Sequence, residues 1–70
     1  MTWDELKEKA KELGAMEFFN VVTGVESFKW HGLTFIDIGL IKQADGSLLA
    51  KNKNPDEMYA IITLLKGEGK

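Results

Sequence analysis

Few residues of this 70-residue chain could do covalent chemistry. His31 is the only histidine and there is no cysteine. Nucleophilic catalysis needs a nucleophile, a base and a group that orients the base. Here that set would have to join Ser27 or Ser47 to His31. Neither serine lies in a nucleophile elbow, and His31-Gly32 reads as a turn with a solvated imidazole. A zinc centre needs three or four His, Cys or acidic ligands at set spacings, which one histidine without cysteine does not supply. Asp45-Gly46-Ser47 begins like a calcium loop but lacks the later oxygens and the closing glutamate. A hairpin turn accounts for it. Gly67-Glu68-Gly69 follows the last helix and cannot open a phosphate-binding one. The expectation is a protein that is not an enzyme, with no metal and no cofactor.

The carboxylates divide by position. Asp4 and Glu5 open one predicted helix, and Asp56 and Glu57 open another, where acids cap and complement the helix dipole. Glu8 and Glu12 read as a solvated helix face. Glu17, Glu26 and Asp37 fall in predicted strands and are expected to face solvent.

Phe28-Lys29-Trp30-His31 interleaves aromatic and basic groups, as stacking surfaces for single-stranded nucleic acid do. Core packing beneath the helices is the competing reading for Phe28 and Trp30. If they point outward instead, they centre a protein interface. With Tyr59 they make the candidate interface Phe28, Trp30, His31 and Tyr59.

The elements that would position these groups follow from periodicity. Thr2-Trp3-Asp4-Glu5 is a capping box, and Trp3, Leu6, Ala10 and Leu13 make one face of a helix over Trp3–Leu13, stopped at Gly14. Strand signals follow at Met16–Val22, Val25–Trp30, Leu33–Ile41 and Ser47–Ala50, separated by Thr23-Gly24, His31-Gly32 and Ala44–Ser47. Gly39 inside the third suggests a bulge or bend. Asn54-Pro55-Asp56-Glu57 is a second capping box. It opens a helix to about Lys66 with a stripe of Met58, Ile61, Ile62 and Leu65, ended by Gly67. The order α-β-β-β-β-α with short turns predicts an α+β fold: an antiparallel meander of three to four strands with both helices packed on one face. One domain spans 1–66, and 67–70 is expected to be a disordered tail.

All nine basic residues are lysines and the net charge is −2. Without arginine's planar fork, nucleic-acid recognition is disfavoured. The helix–strands–helix order resembles double-stranded-RNA-binding domains in topology only. Those grip phosphates with lysines at the start of the second helix, where this chain has Asn54-Pro55-Asp56-Glu57. The acidic start is unlike a signal peptide, and no apolar run reaches the roughly 20 residues of a membrane span. A cytoplasmic protein without membrane contact is expected. The strands carry apolar residues on both faces (Phe18-Phe19, Val21-Val22, Ile36, Ile38, Leu40, Ile41), which predicts either that a partner covers the sheet's second face or that bulges reset the alternation.

Thr-Trp-Asp-Glu-Leu-Lys-Glu-Lys-Ala-Lys-Glu-Leu-Gly at 2–14, His-Gly-Leu-Thr-Phe at 31–35 and Asn-Pro-Asp-Glu-Met-Tyr-Ala-Ile at 54–61 resemble short uncharacterised proteins of Gram-positive bacteria, their phages and mobile elements. The resemblance implies a small accessory protein and carries over no functional residue.

The function expected is a small non-catalytic interaction module that binds protein and forms a homodimer. One alternative is a binder or sponge for a nucleotide-like ligand, in a dimer-interface pocket lined by Phe28, Trp30, His31 and Tyr59. The other is a single- or double-stranded nucleic-acid binder.

Overall fold

The computed structural model describes residues 1–68. Its order is α1 (Trp3–Glu12), β1 (Met16–Asn20), β2 (Val25–Trp30), β3 (Leu33–Ile36), β4 (Leu40–Lys42), β5 (Leu48–Ala50) and α2 (Pro55–Glu68). The five strands form one antiparallel sheet in chain order. Both helices pack on one of its faces, as expected of the α+β class, with one strand more than the sequence suggested.

The extra strand comes from Gly39. The segment read as one strand over Leu33–Ile41 folds back at Asp37–Gly39 into β3 and β4. Gly39 has φ 92°, donates its N–H to Ile36 (2.9 Å) and accepts from Lys53 (3.0 Å). The turn is thereby tied to the chain entering α2. A β-carbon at Gly39 would stand 3.1 Å from the Lys53 carbonyl oxygen, so both the backbone angle and the space require glycine there.

Both capping boxes form. The Thr2 side chain accepts from the Glu5 N–H (3.2 Å) and the Glu5 carboxylate from the Thr2 N–H (3.0 Å). Asn54 and Glu57 repeat the exchange at 2.8 and 3.2 Å. α1 closes as predicted: Ala15 donates to Ala10 and Gly14 to Lys11, each at 3.0 Å, with Gly14 left-handed at φ 93°. α2 does not end at Gly67 as expected, because its helical backbone continues through Glu68. A lone glycine in a last turn costs only about 1 kcal/mol against alanine. Of the tail expected at 67–70, residues 69 and 70 lie outside the described residues.

The core is one layer. Phe28, Phe35 and Ile41 stand opposite one another on β2, β3 and β4. They close against Leu6 and Ala10 of α1 and Met58 and Ile62 of α2, with every one of these side chains buried. The Phe28 and Phe35 rings stack at 4.9 Å, and Trp3 tilts onto Phe28 at 5.4 Å. Trp3 Nε1 is buried without a hydrogen-bond partner, a local cost of about 1–3 kcal/mol.

Two outcomes are expected. Gly39→Ala should lower the unfolding free energy by roughly 2 kcal/mol. Gly46→Ala should cost less, since Gly46 is also left-handed (φ 89°) but has open space around it. Urea denaturation of the pair separates conformational strain from contact. The second concerns acid. The hydrogen bond from the Thr2 N–H holds the Glu5 carboxyl below its ordinary range, and that from the Asn54 N–H does the same for Glu57, aided by Lys53. A lowered folded-state pKa stabilises above the unfolded value, and the gain is lost as pH falls through the folded one. Stability should therefore fall on acidification below the usual glutamate range. In Glu5→Gln/Glu57→Gln, which keeps the caps but removes the titration, the pH–stability curve should be flatter there.

Candidate functional site

Register places every strand side chain on one of two faces. The row Phe28–Phe35–Ile41 defines the helix-covered face, which also takes Glu26, Trp30 and Leu33. The open face carries Met16, Phe18 and Asn20 from β1, Val25, Ser27 and Lys29 from β2, Thr34 and Ile36 from β3, Leu40 and Lys42 from β4, and Leu48 from β5. Neither helix covers these residues. The apolar side chains seen on both faces of the sequence pattern thus belong to a sheet covered on one side only.

The four residues of the candidate interface are not brought together. Phe28 is fully buried at the centre of the core, because its register partner is Phe35 and α1 lies above both. It cannot line a pocket. Tyr59 sits on α2 beside a shallow groove with Lys9, whose ammonium lies 5.5 Å from its ring centre. Trp30 and His31 remain neighbours, with rings 4.9 Å apart. His31 (φ 55°) and Gly32 (φ 78°) form the two-residue turn between β2 and β3, and both left-handed angles suit the twist of a hairpin. His31 is exposed, as expected of a turn residue.

Trp30 and His31 line an open cleft of about 520 Å³ at one end of the open face. Its floor is the cross-strand row Met16, Lys29, Thr34 and Lys42, and its walls are the His31-Gly32 turn and the turn at Gln43–Gly46. Sequence reasoning missed Lys29, Thr34, Lys42 and Gln43 as a group. They come from three strands and a turn, and only the register aligns them. The alternation of β2 was the available signal, since it puts Lys29 opposite in sense to Phe28.

Among the described residues neither Ser27 nor Ser47 is hydrogen-bonded to His31. Ser27 lies in β2 and His31 in the turn after it, four residues on. Ser47 donates its hydroxyl to Asp45 (2.6 Å), which also accepts the Ser47 N–H (2.8 Å) and whose carboxyl is held below its usual range by these bonds. Among the described residues no group of three or more His, Cys, Asp or Glu is placed to hold a metal ion. No helix among them is long and apolar enough to cross a membrane.

Glu17 and Asp37 are exposed, as expected of these acids, and Glu26 is half-buried. Glu17 and Glu26 lie on the helix side of the sheet, not the open side. Lys7 of α1 donates to Glu26 at 2.7 Å, and Lys11 lies 3.6 Å from Glu17. The bond to Glu26 raises the Lys7 pKa. Asp37 is in the β3–β4 turn and exposed, and its N–H donates to Glu26 (3.0 Å). At the start of α2, Lys53 is drawn to Glu57 (3.4 Å), which removes one of the two cations nearest that helix end from phosphate contact.

Compared with protein families, curated proteins and solved structures, the chain matches none.

Phe28→Ala is expected to cost about 3–5 kcal/mol, the range for truncating a buried aromatic. His31→Gly should leave stability within about 0.5 kcal/mol, since the position is an exposed left-handed turn. Thermal unfolding of the two variants distinguishes a core residue from a surface one.

Proposed function

We propose that this chain is a small non-catalytic interaction module that acts by protein–protein binding, beginning with a second copy of itself along β1. One observation carries the reading. Of the large apolar side chains left exposed, Met16, Phe18, Phe19, Val21 and Val22 all fall on β1 and the loop after it, with Val21 83% and Val22 90% exposed. β1 is an edge strand. An uncovered apolar edge offers unpaired backbone groups and apolar surface together, a combination that drives pairing with another chain.

The β1 sequence suits two-fold antiparallel pairing. In the register centred on Phe18, Phe18 meets Phe18 of the second copy, Met16 meets Asn20 and Glu17 meets Phe19. No like charges stand directly opposite, and aromatic cross-strand contacts are gained. A register centred on Glu17 would oppose two carboxylates. The other edge is a poorer template: β5 has three residues and its pairing with β4 is interrupted between Ile41 and Lys42. Short, bulged edges resist extension. Such an assembly would join two sheets into one and set two open faces side by side as a broad docking surface.

Occupancy of another macromolecule is the mode of action this supports, and it suits the accessory role that the sequence resemblance implies. A cytoplasmic location belongs to the same reading, since a chain without cysteine gains nothing from an oxidising compartment.

Light scattering coupled to size exclusion should give twice the chain mass for the native protein and a single chain mass for Phe18→Lys, which opposes two ammonium groups at the two-fold. Circular dichroism should show both folded. A native protein that is a monomer at millimolar concentration, or a Phe18→Lys variant that dimerises undiminished, would overturn the β1 pairing.

A further inference from the structure

The cleft on the open face differs in charge from the rest of the molecule. No carboxylate lines it, although acids outnumber bases in the chain. The acids are held elsewhere: on the helices, on the helix side of β1 and β2, and in turns. Asp45 belongs to the turn that walls the cleft, but its carboxylate is engaged by Ser47. The lysines of the cleft are uncommitted by comparison. Lys7, Lys11 and Lys53 make ion pairs, whereas among the described residues Lys29 and Lys42 make none. Lys29 lies 5.4 Å from the centre of the Phe18 ring.

Lys29 is opposite Thr34, and Thr34 is opposite Lys42. Strands stand about 4.8 Å apart, so the two lysine backbones are about 10 Å apart with the Thr34 hydroxyl between them. Two four-carbon stems at that separation can close on one anion. Lysine is a compact point charge without a planar fork, and so suits a tetrahedral phosphate better than bidentate capture of a carboxylate. Thr34 and Gln43 add neutral donors. Met16 adds apolar lining and the exposed His31 imidazole a planar ring at the same cleft, while the Trp30 side chain packs toward the core. The cleft volume of about 520 Å³ falls in the size class of small-ligand sites.

We propose that this cleft binds a phosphorylated small molecule bearing a planar ring, of the class of nucleoside monophosphates. Lys29 and Lys42 take the phosphate, Thr34 and Gln43 donate to its oxygens or to the sugar, and the ring lies against Met16 and the His31 imidazole. The site is complete within one chain and does not rest on pairing of β1, so a monomeric protein can possess it.

Isothermal titration with AMP, GMP, CMP and UMP tests this, with inorganic phosphate, the matching nucleosides and oligothymidines as further probes. At least one monophosphate should bind once per chain, and about tenfold more tightly than its nucleoside or phosphate alone. Lys29→Ala and Lys42→Ala should each weaken it by about tenfold. Lys66→Ala, in the separate groove beside Tyr59, should leave it unchanged. Because Lys29 and Lys42 are exposed, these variants should fold, which circular dichroism checks. Absence of binding by all four monophosphates at about 5 mM would overturn the proposal. So would binding no tighter than phosphate alone, or binding that survives both lysine substitutions. Affinity that appears only with oligothymidine and grows with its length would assign the cleft to a polymer backbone and overturn it equally.

Discussion

Phe28, Phe35 and Ile41 stand side by side on three neighbouring strands, and two helices close over them. In a chain this small that row is the whole of the sheet's contribution to the fully buried core. It therefore sets more than stability. Side chains alternate across a strand, so burying these three assigns every other strand residue to a face. Shifting one strand by a single residue would expose its core side chain and drive a polar or charged neighbour beneath the helices. The register of β2 to β4 is thus held by the hydrophobic effect acting on three side chains.

The other features follow from that row. Glu26 shares a face with Phe28, which brings it under α1, where Lys7 reaches it at 2.7 Å. Glu17, opposite Phe28, lies where Lys11 approaches it. These pairs are part-exposed and contribute little energy, but they orient α1 over the sheet. The same parity sends Lys29 and Lys42 to the open face, where the register provides no acid to meet them. Charge is consequently segregated: a helix layer carrying most of the carboxylates, and an open sheet face on which lysines stand among apolar side chains.

One helix-covered face is what this length of chain supports. The helices cover the middle of the sheet and leave β1 and the loop at 21–24 outside, as the exposure of Phe19, Val21 and Val22 shows. The residues left bare are not polar substitutes that would protect an edge. They are the apolar residues on which the proposed assembly rests.

Much of the fold is legible in the residues because it is decided locally. The two capping boxes, the stop at Gly14, the His31-Gly32 turn and the turn at Ala44–Ser47 depend on backbone angles and on hydrogen bonds spanning a few residues, and all form. The helix stripes through Leu6, Ala10, Met58 and Ile62 are likewise a matter of period. What tertiary structure decided is what depends on which strand lies beside which. Gly39 could have been a bulge, and only the Lys53 backbone packed against it makes it a turn between two strands. Phe28 and Trp30 alternate with Lys29, but nothing local says that Phe28 is core and Trp30 half-buried. The candidate set Phe28, Trp30, His31 and Tyr59 dissolves for that reason, and Lys29, Thr34 and Lys42 align for the same one. Hydrogen-bonded turns and helix ends carry their instructions within a few residues of sequence. A shared face of a sheet is a relation among strands, and it exists only once the core row has set their register.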